Sequence, residues 1–472
     1  MTRRTDLLLL VNAMLGQFIS GFAARMFVVS LPTIAGALHA DILAISWAII
    51  AYQLAGISLS VVFGRLGDIH GRHAIYGGGF VIMTASSLLC GFATSAPWLI
   101  VFRFVQGIGA AMLASATRVL AMEAMPENAA GKANALMTMS FHGGVLLGPP
   151  LGGLIIDLVG WRWTFFLLVP IGVAGTVLTV LKAREHPPAP IAPAPAIDYG
   201  GASLLVVLTV VLTLLLDRRS AEMIGLGQTG VMALLFAATL GGFVIHERRA
   251  RHPVVNFALF KIRMFTFSVL SLLVIATSNS ILTFLLPFYM QDVLHQSPSF
   301  MGLIFLSAPV FTVTLAAVAG QITDRVGPRI PASIGVLMSA AAFLVGMFLR
   351  VDSPWMLPAV LMAFTGLGQA FFNTPNQTAI IASVPREYRG FATGMVQMVF
   401  GLGSLLGISL AGVLLTVAFR YASGLPEATP SAEHPLPFVA AMNATCAVCV
   451  ALTGVAFVAS LMRGGRKVGT PP

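Results

Sequence analysis

Gly64-Arg65-Leu66-Gly67-Asp68-Ile69-His70-Gly71-Arg72-His73 and Gly320-Gln321-Ile322-Thr323-Asp324-Arg325-Val326-Gly327-Pro328-Arg329 are two versions of one pattern. Each is a short charged turn between two long apolar runs. A charged turn that returns in the same hydrophobic setting marks two related halves of one membrane protein.

Composition supports that setting. Hydrophobic residues make up 57% of the 472-residue chain and charged residues only 9%, whereas a soluble domain carries about 25% charged residues. A net charge of +10 could indicate a nucleic-acid partner, but the Lys and Arg residues are scattered through the loops rather than gathered on one face. No nucleic-acid partner is expected.

The apolar runs predict fourteen membrane spans, near 7–31, 42–63, 74–94, 97–121, 134–156, 162–182, 199–216, 227–246, 264–290, 299–322, 331–350, 354–383, 390–417 and 437–462. With the N-terminus inside, nineteen of the 27 Lys and Arg residues fall in cytoplasmic loops and tails, and only Arg162, Arg218, Arg219, Arg350 and Arg420 lie opposite. That asymmetry follows the positive-inside rule and places both termini in the cytoplasm of a multi-pass inner-membrane protein. The run after Arg3 and Arg4 continues past a signal-peptide core, so it reads as an uncleaved first helix. Cys90, Cys446 and Cys449 lie in spans without His or acidic neighbours, so they read as small packing residues, and no metal or cofactor is expected.

A Pro/Ala segment from His186 to Pro195 reads as an extended linker. A polar stretch from His246 to Arg263 precedes the ninth span. The expected organisation is an N-terminal six-helix bundle over 1–183, a connector with two inserted helices over 184–263, and a C-terminal six-helix bundle over 264–472. The repeated turn follows the second helix of each bundle, as a duplication requires.

Three further motifs accompany the repeated turn. Arg103-Phe104-Val105-Gln106-Gly107-Ile108-Gly109-Ala110-Ala111 lies in the fourth span, Gly144-Val145-Leu146-Leu147-Gly148-Pro149-Pro150-Leu151-Gly152-Gly153 in the fifth, and Gly160-Trp161-Arg162-Trp163 follows. With these motifs and its span count, the chain resembles the major facilitator superfamily, and within it the fourteen-helix drug:proton antiporter branch. The resemblance covers almost the whole chain. It implies an all-α fold of two six-helix bundles related by pseudo-two-fold symmetry plus two inserted helices. It further implies secondary transport by rocking-bundle alternating access and a proton gradient as driving force. The alternative reading is an exporter or facilitator of anionic or neutral metabolites or lipids not coupled through an embedded carboxylate.

Each motif also has a physical reading. In the turns, Gly64 and Gly71 permit close approach and reversal, Asp68 can accept hydrogen bonds from Arg72 or a helix N-terminus, and Asp324, Arg325 and Arg329 repeat the charge pattern. The resemblance implies a conformational latch; the plainer reading is an ordinary charged turn. Gly144, Gly148 and Gly152 form one smooth helical face, and Pro149 should bend the helix beyond it. The resemblance makes this an antiporter-type helix that seals the cavity.

Polar residues at bilayer depth need a partner or a wet cavity. Gln369, Asn373, Asn376 and Gln377 form an amide-rich face in the twelfth span, read as a cavity wall or as interhelical glue. Gln17 and Arg25 in the first span, Gln53 in the second, and Arg103 and Gln106 in the fourth complete the substrate-binding candidates. Arg25 stands where cation exporters of the resembled branch tend to carry an acid nearby, and all seventeen acidic residues fall in loops or at span ends. A cavity with bases and no acid suits an anionic or electron-rich substrate; the plainer reading is that Arg25 snorkels to the headgroups.

No nucleotide-binding loop of the Gly-x-x-x-x-Gly-Lys-Ser/Thr type is present, so a gradient or a partner must drive transport. Asp68 and His142 are the proton-coupling candidates, since a proton cycle needs a titratable group. No convergent His/Asp or Ser/His set marks an enzyme. The expected protein is a secondary transporter of small amphiphilic compounds, acting as a monomer in the lipid bilayer.

Fourteen spans fix the side of each loop. Reporters fused after Asp217 and after Gln291 should be external, and those after His186 and Arg251 internal; a cytoplasmic reporter at Asp217 returns the chain to twelve spans.

Overall fold

The computed structural model describes residues 6–125, 130–185, 199–216, 218–250, 257–385, 388–425, 429–431 and 434–463. Among them are α-helices and short 3-10 and π turns, with no strand. Fourteen helices are long: α1 Leu7–Ala37, α2 Ile42–His70, α3 Arg72–Gly91, α4 Ala96–Glu123, α5 Ala130–Val159, α6 Leu168–Glu185, α7 Tyr199–Leu216, α8 Arg218–Arg249, α9 Arg263–Phe288, α10 Pro298–Val326, α11 Arg329–Gly346, α12 Met356–Ala382, α13 Arg389–Ser423 and α14 Pro435–Met462. Twelve stretches are long and apolar enough to cross a membrane, and Ile42–Gly56 is a shorter apolar helix. The helix α7, the shortest of the expected spans, is not among the twelve. The Pro/Ala linker lies outside the described residues.

The chain divides into two compact units. Unit 1 comprises Met1–Val210, Thr239–Val254 and Ser297–Gly302; unit 2 comprises Val211–Ala238, Val255–Gln296 and Leu303–Pro472. The inserted helices α7 and α8 are each divided between the two.

In unit 1, α1 packs on α5, and α4 packs on both α2 and α3, with α6 against α3. The α1–α5 seam is set by the glycine stripe. A Cβ on Gly144 would collide with the Phe18 carbonyl oxygen, one on Gly148 would crowd the Phe22 backbone, and one on Gly152 would strike Met26. Phe18, Phe22 and Met26 follow the same four-residue spacing as the glycines, so ridge meets groove along two turns. Around that seam, Phe22, Met26, Tyr76, Phe80, Met83 and Leu113 form part of one buried apolar cluster.

Unit 2 uses the same arrangement: α9 packs on α13, α11 on α12, and α14 against both α9 and α11. Its seam has its own small residues. A Cβ on Gly403 would press on Ala276 and the Leu273 carbonyl, and one on Gly407 on the Thr277 carbonyl. The sequence reading did not single out this second stripe, although its glycines are four residues apart.

Between α2 and α3, Gly71 has φ 92°, and between α10 and α11, Gly327 has φ 81°. Both reversals need the left-handed region that glycine enters without steric cost. The repeated turn is therefore repeated in backbone conformation as well as in sequence.

The seam separates two adjacent glycines. A Cβ on Gly143 meets nothing within 4 Å, whereas one on Gly144 meets backbone. Gly144→Ala should lower the melting temperature of the detergent-solubilised protein by several degrees, since overpacking costs about 1–3 kcal/mol, and Gly143→Ala should leave it nearly unchanged. Equal melting temperatures for the two variants would remove the seam as a constraint.

Candidate functional site

Arg103 on α4 is 1% exposed. Its guanidinium carbon lies 4.2 Å from the ring centroid of Phe27 and 4.2 Å from that of Tyr52. The two rings sandwich the cation and supply negative π faces to it. Its Nε donates to the Ala48 carbonyl at 3.2 Å, and its Nη1 donates to Gln106 Oε1. Gln106 in turn donates from Nε2 to Ser87 Oγ at 2.7 Å. The structure therefore draws Arg103 and Gln106 into the interior of unit 1, where they tie α1, α2, α3 and α4 together.

Arg25 is placed differently. It lies on α1 beside Gly148 of the antiporter-type helix, half-buried, and no described residue makes a hydrogen bond or ion pair with it. Gln17, two turns earlier on the same face, is also half-buried, and between them a Cβ on Gly21 would collide with the Phe141 carbonyl of α5. Gln53 on α2 is half-buried. His142 on α5 is exposed, with its ring edge-on to Phe141 at 5.7 Å.

In unit 2 the amide stripe of α12 divides. Gln369 and Asn373 are half-buried and Gln377 is exposed, as a rotation of 100° per residue carries the face outward. Asn376 lies at the inner edge: it is fully buried and donates from Nδ2 to the Ser268 carbonyl of α9 at 3.3 Å. Asn376 thus joins α12 to α9, and the other three amides keep accessible side chains.

The latch residues are described in part. Arg72 pairs with Glu123 of α4 at 3.5 Å, with both side chains more than a third exposed, so the pair adds little stability. Arg325 and Arg329 are exposed, and a Cβ on Gly64 or Gly320 meets nothing within 4 Å. The side chains of Asp68 and Asp324 lie outside the described residues.

The antiporter-type helix has a further contact in unit 1, with the first turn of α10. A Cβ on Gly153 would collide with the Pro298 carbonyl, and one on Gly302 with the Pro149 carbonyl. Asp157 Oδ2 accepts the backbone N–H of Ser299 at 2.9 Å, which caps one of the free donors at the start of α10. Pro149 and Pro150 lie inside α5, and the Pro149 carbonyl is part of this contact. Sequence reading placed Asp157 only at the membrane edge; a cap supplied by a distant helix leaves no local signal.

A model of the Major Facilitator Superfamily matches residues 13–273 and 268–426. The chain belongs to the major facilitator superfamily. It is 27% identical over 421 residues to the riboflavin transporter RibZ of Clostridioides difficile (strain 630), covering 88% of this chain and 89% of that one. It is 30% identical over 426 residues to the uncharacterized transporter YebQ of Escherichia coli (strain K12), covering 89% and 90%. It is 26% identical over 414 residues to the multidrug transporter protein MdtP of Bacillus subtilis (strain 168), covering 86% and 75%. Among solved structures, a bacterial homologue of the human lysosomal transporter Spinster, inward-facing and unoccupied, superposes with a TM-score of 0.69 at 14% identity over 96% of each chain. The fold is therefore that of a membrane transporter with a small-molecule substrate.

The two arginines should respond differently to substitution. Arg103→Ala removes a buried cation held by two rings and leaves Gln106 Oε1 without its donor, so a loss of about 3 kcal/mol or more is expected. Arg25→Ala should stay within about 0.5 kcal/mol. Melting temperatures read by tryptophan fluorescence check the contrast.

Proposed function

We propose that the chain is an exporter of small amphiphilic compounds from the fourteen-helix drug:proton antiporter branch, working by alternating access of its two bundles in the inner membrane with both termini cytoplasmic. The superfamily match carries the transporter reading, and the observation that carries the substrate class is Arg25. It is a half-buried cation with no described partner, on the face of α1 that meets the antiporter-type helix. An intramembrane arginine costs about 2.5–3.5 kcal/mol on insertion scales, and an unpaired one is retained where it meets an external group.

The substrate class follows from charge. Gln369, Asn373 and Gln377 of unit 2 are uncharged amides, and the charged set is that of unit 1, Arg25 with Gln17 and Gln53. The acidic residues stand in loops and at span ends, so a lipophilic cation finds no embedded counter-charge. An anionic or electron-rich amphiphile fits this set. Arg103 contributes from behind the wall, since its own N–H groups are directed to Ala48 and Gln106. The names of RibZ and MdtP, a riboflavin transporter and a multidrug transporter, agree with efflux or uptake of aromatic or amphiphilic molecules.

Coupling to protons rests on Asp68 and His142, and the repeated turns act as the latch that biases one conformation. The contact of α5 with the first turn of α10 supports the sealing role: backbone meets backbone at Gly153 and Gly302, with no side chain between to leave a gap.

Reconstituted vesicles test the reading. An imposed pH gradient should drive uptake of an anionic amphiphilic dye, and Arg25→Gln should reduce that rate about tenfold while sparing a neutral analogue. Efficient efflux of a permanent quaternary cation by the unmodified protein would refute the charge assignment. Asp68→Asn and Arg72→Ala should slow transport of every substrate while membrane insertion stays normal; near-wild-type rates in both would reduce the latch to a plain turn.

A further inference from the structure

The two units make opposite electrostatic choices at one equivalent place. In unit 1, Lys182 near the end of α6 lies 3.0 Å from Asp6, and Asp6 is the N-cap of α1, accepting the Leu9 N–H at 3.1 Å. One turn earlier on α6, Thr179 Oγ1 accepts from Asn12 Nδ2 at 2.8 Å. The last helix of the bundle is thus fastened to the first by a hydrogen bond and, one turn on, by an ion pair.

Unit 2 repeats the spacing. Ser460 on α14 shares a 2.9 Å hydrogen bond with Ser333 of α11, and Arg463 follows three residues later, as Lys182 follows Thr179. The acid is missing, however. The N-cap of α9 is Ile262, which makes no side-chain cap hydrogen bond, and the next residue is a second base, Arg263, whose Nε donates to the Met462 carbonyl at 2.7 Å. Arg463 itself is 2% exposed. Its Nε, Nη1 and Nη2 all lack hydrogen-bond partners, and its guanidinium carbon lies 5.7 Å from the Phe372 ring centroid. Burial, with no acid opposing it, pushes the guanidinium down to about 9, so it keeps its proton at neutral pH.

A buried guanidinium with every donor unmet is costly. Its planar fork matches one kind of group best, an oxyanion able to take two parallel N–H bonds. The surroundings suit that occupant: the first turn of α9, which reaches the end of α14 through Arg263 and the Met462 carbonyl, leaves its N–H groups without a side-chain cap. The place is the end of α14, where a span meets the headgroup level of the membrane, and the two arginines there are the pattern that recruits phosphate.

We propose that the buried guanidinium of Arg463 in unit 2 is an oxyanion site that binds a phosphate group, filling the role that Asp6 fills for Lys182 in unit 1. Phosphate chemistry is common to an acidic phospholipid headgroup and to free phosphate, and the ligand stands apart from the transported substrate. Occupation of the site adds a second tie between α14 and α9 to the one that Arg263 and the Met462 carbonyl make.

Thermal unfolding of the purified full-length protein in neutral detergent tests this, with inorganic phosphate, phosphatidylglycerol, phosphatidylcholine and chloride at matched ionic strength as probes. The expected result is a saturable rise of about 2 °C or more with phosphatidylglycerol if the headgroup is the source, or with inorganic phosphate as well if the free anion suffices. Phosphatidylcholine and chloride should have no such effect. Arg463→Gln should abolish the response and Arg463→Lys should weaken it. Ile262→Asp supplies the acid that unit 1 has and should also abolish it, which keeps the test decisive where Arg463→Gln fails to fold. An unchanged melting temperature in all probes, an equal rise with chloride or phosphatidylcholine, or a full response retained in Ile262→Asp would overturn the proposal.

Discussion

A polar group inside the bilayer has no water to fall back on, and that one constraint organises the interior of each unit. Most of the buried hydroxyls meet it locally, bonding to a carbonyl one turn back in their own helix, as Thr117, Thr179, Thr365 and Thr416 do. The amides meet it between helices, Asn12 with Thr179 and Asn376 with the Ser268 carbonyl. Arg103 meets it with two aromatic faces, a carbonyl and a glutamine, and no acid. Arg25 and Arg463 are the described arginines with buried or half-buried side chains that leave it unmet from within the protein.

The second constraint is close approach, and it explains why the seams are made of glycine. Lipid tails are as apolar as leucine, so helices in a bilayer gain little by merely hiding side chains, and contact must come from backbone proximity. Gly144, Gly148 and Gly152 give α5 that proximity to α1, and Gly403 and Gly407 give it to α13 against α9. Because the same geometry serves both units, a change in one seam moves a whole helix rather than a side chain. That stiffness is what a bundle needs if it is to move as a body.

Much of this was legible in the chain itself. The repeated turn gave the two halves, and the positive φ at Gly71 and Gly327 is what the two glycines at matched positions require. The stripe in α5 was readable because four-residue spacing of glycine has few other meanings. The rotation of Arg103 was not readable: a residue's depth follows from its distance to a helix end, but its facing depends on how Phe27 and Tyr52 from two other helices converge on it. For the same reason the α12 amides looked like one stripe, although 20° of helical phase between Gln369 and Asn376 separates a wall from an interior. The Lys182–Asp6 pair joins residues far apart in the chain, and only the folded unit brings them together.

The distribution of charge bears on how such a protein is driven. An embedded carboxylate offers a proton site and a cation counter-charge at once, so its absence from mid-span separates two tasks that one residue could share. Under the proposed function the recognition task passes to a base, Arg25. Proton exchange, if it drives the cycle, then falls to Asp68 at the end of α2 or to an exposed histidine, His142. A cycle of that kind keeps the charge that meets the substrate apart from the groups that exchange protons.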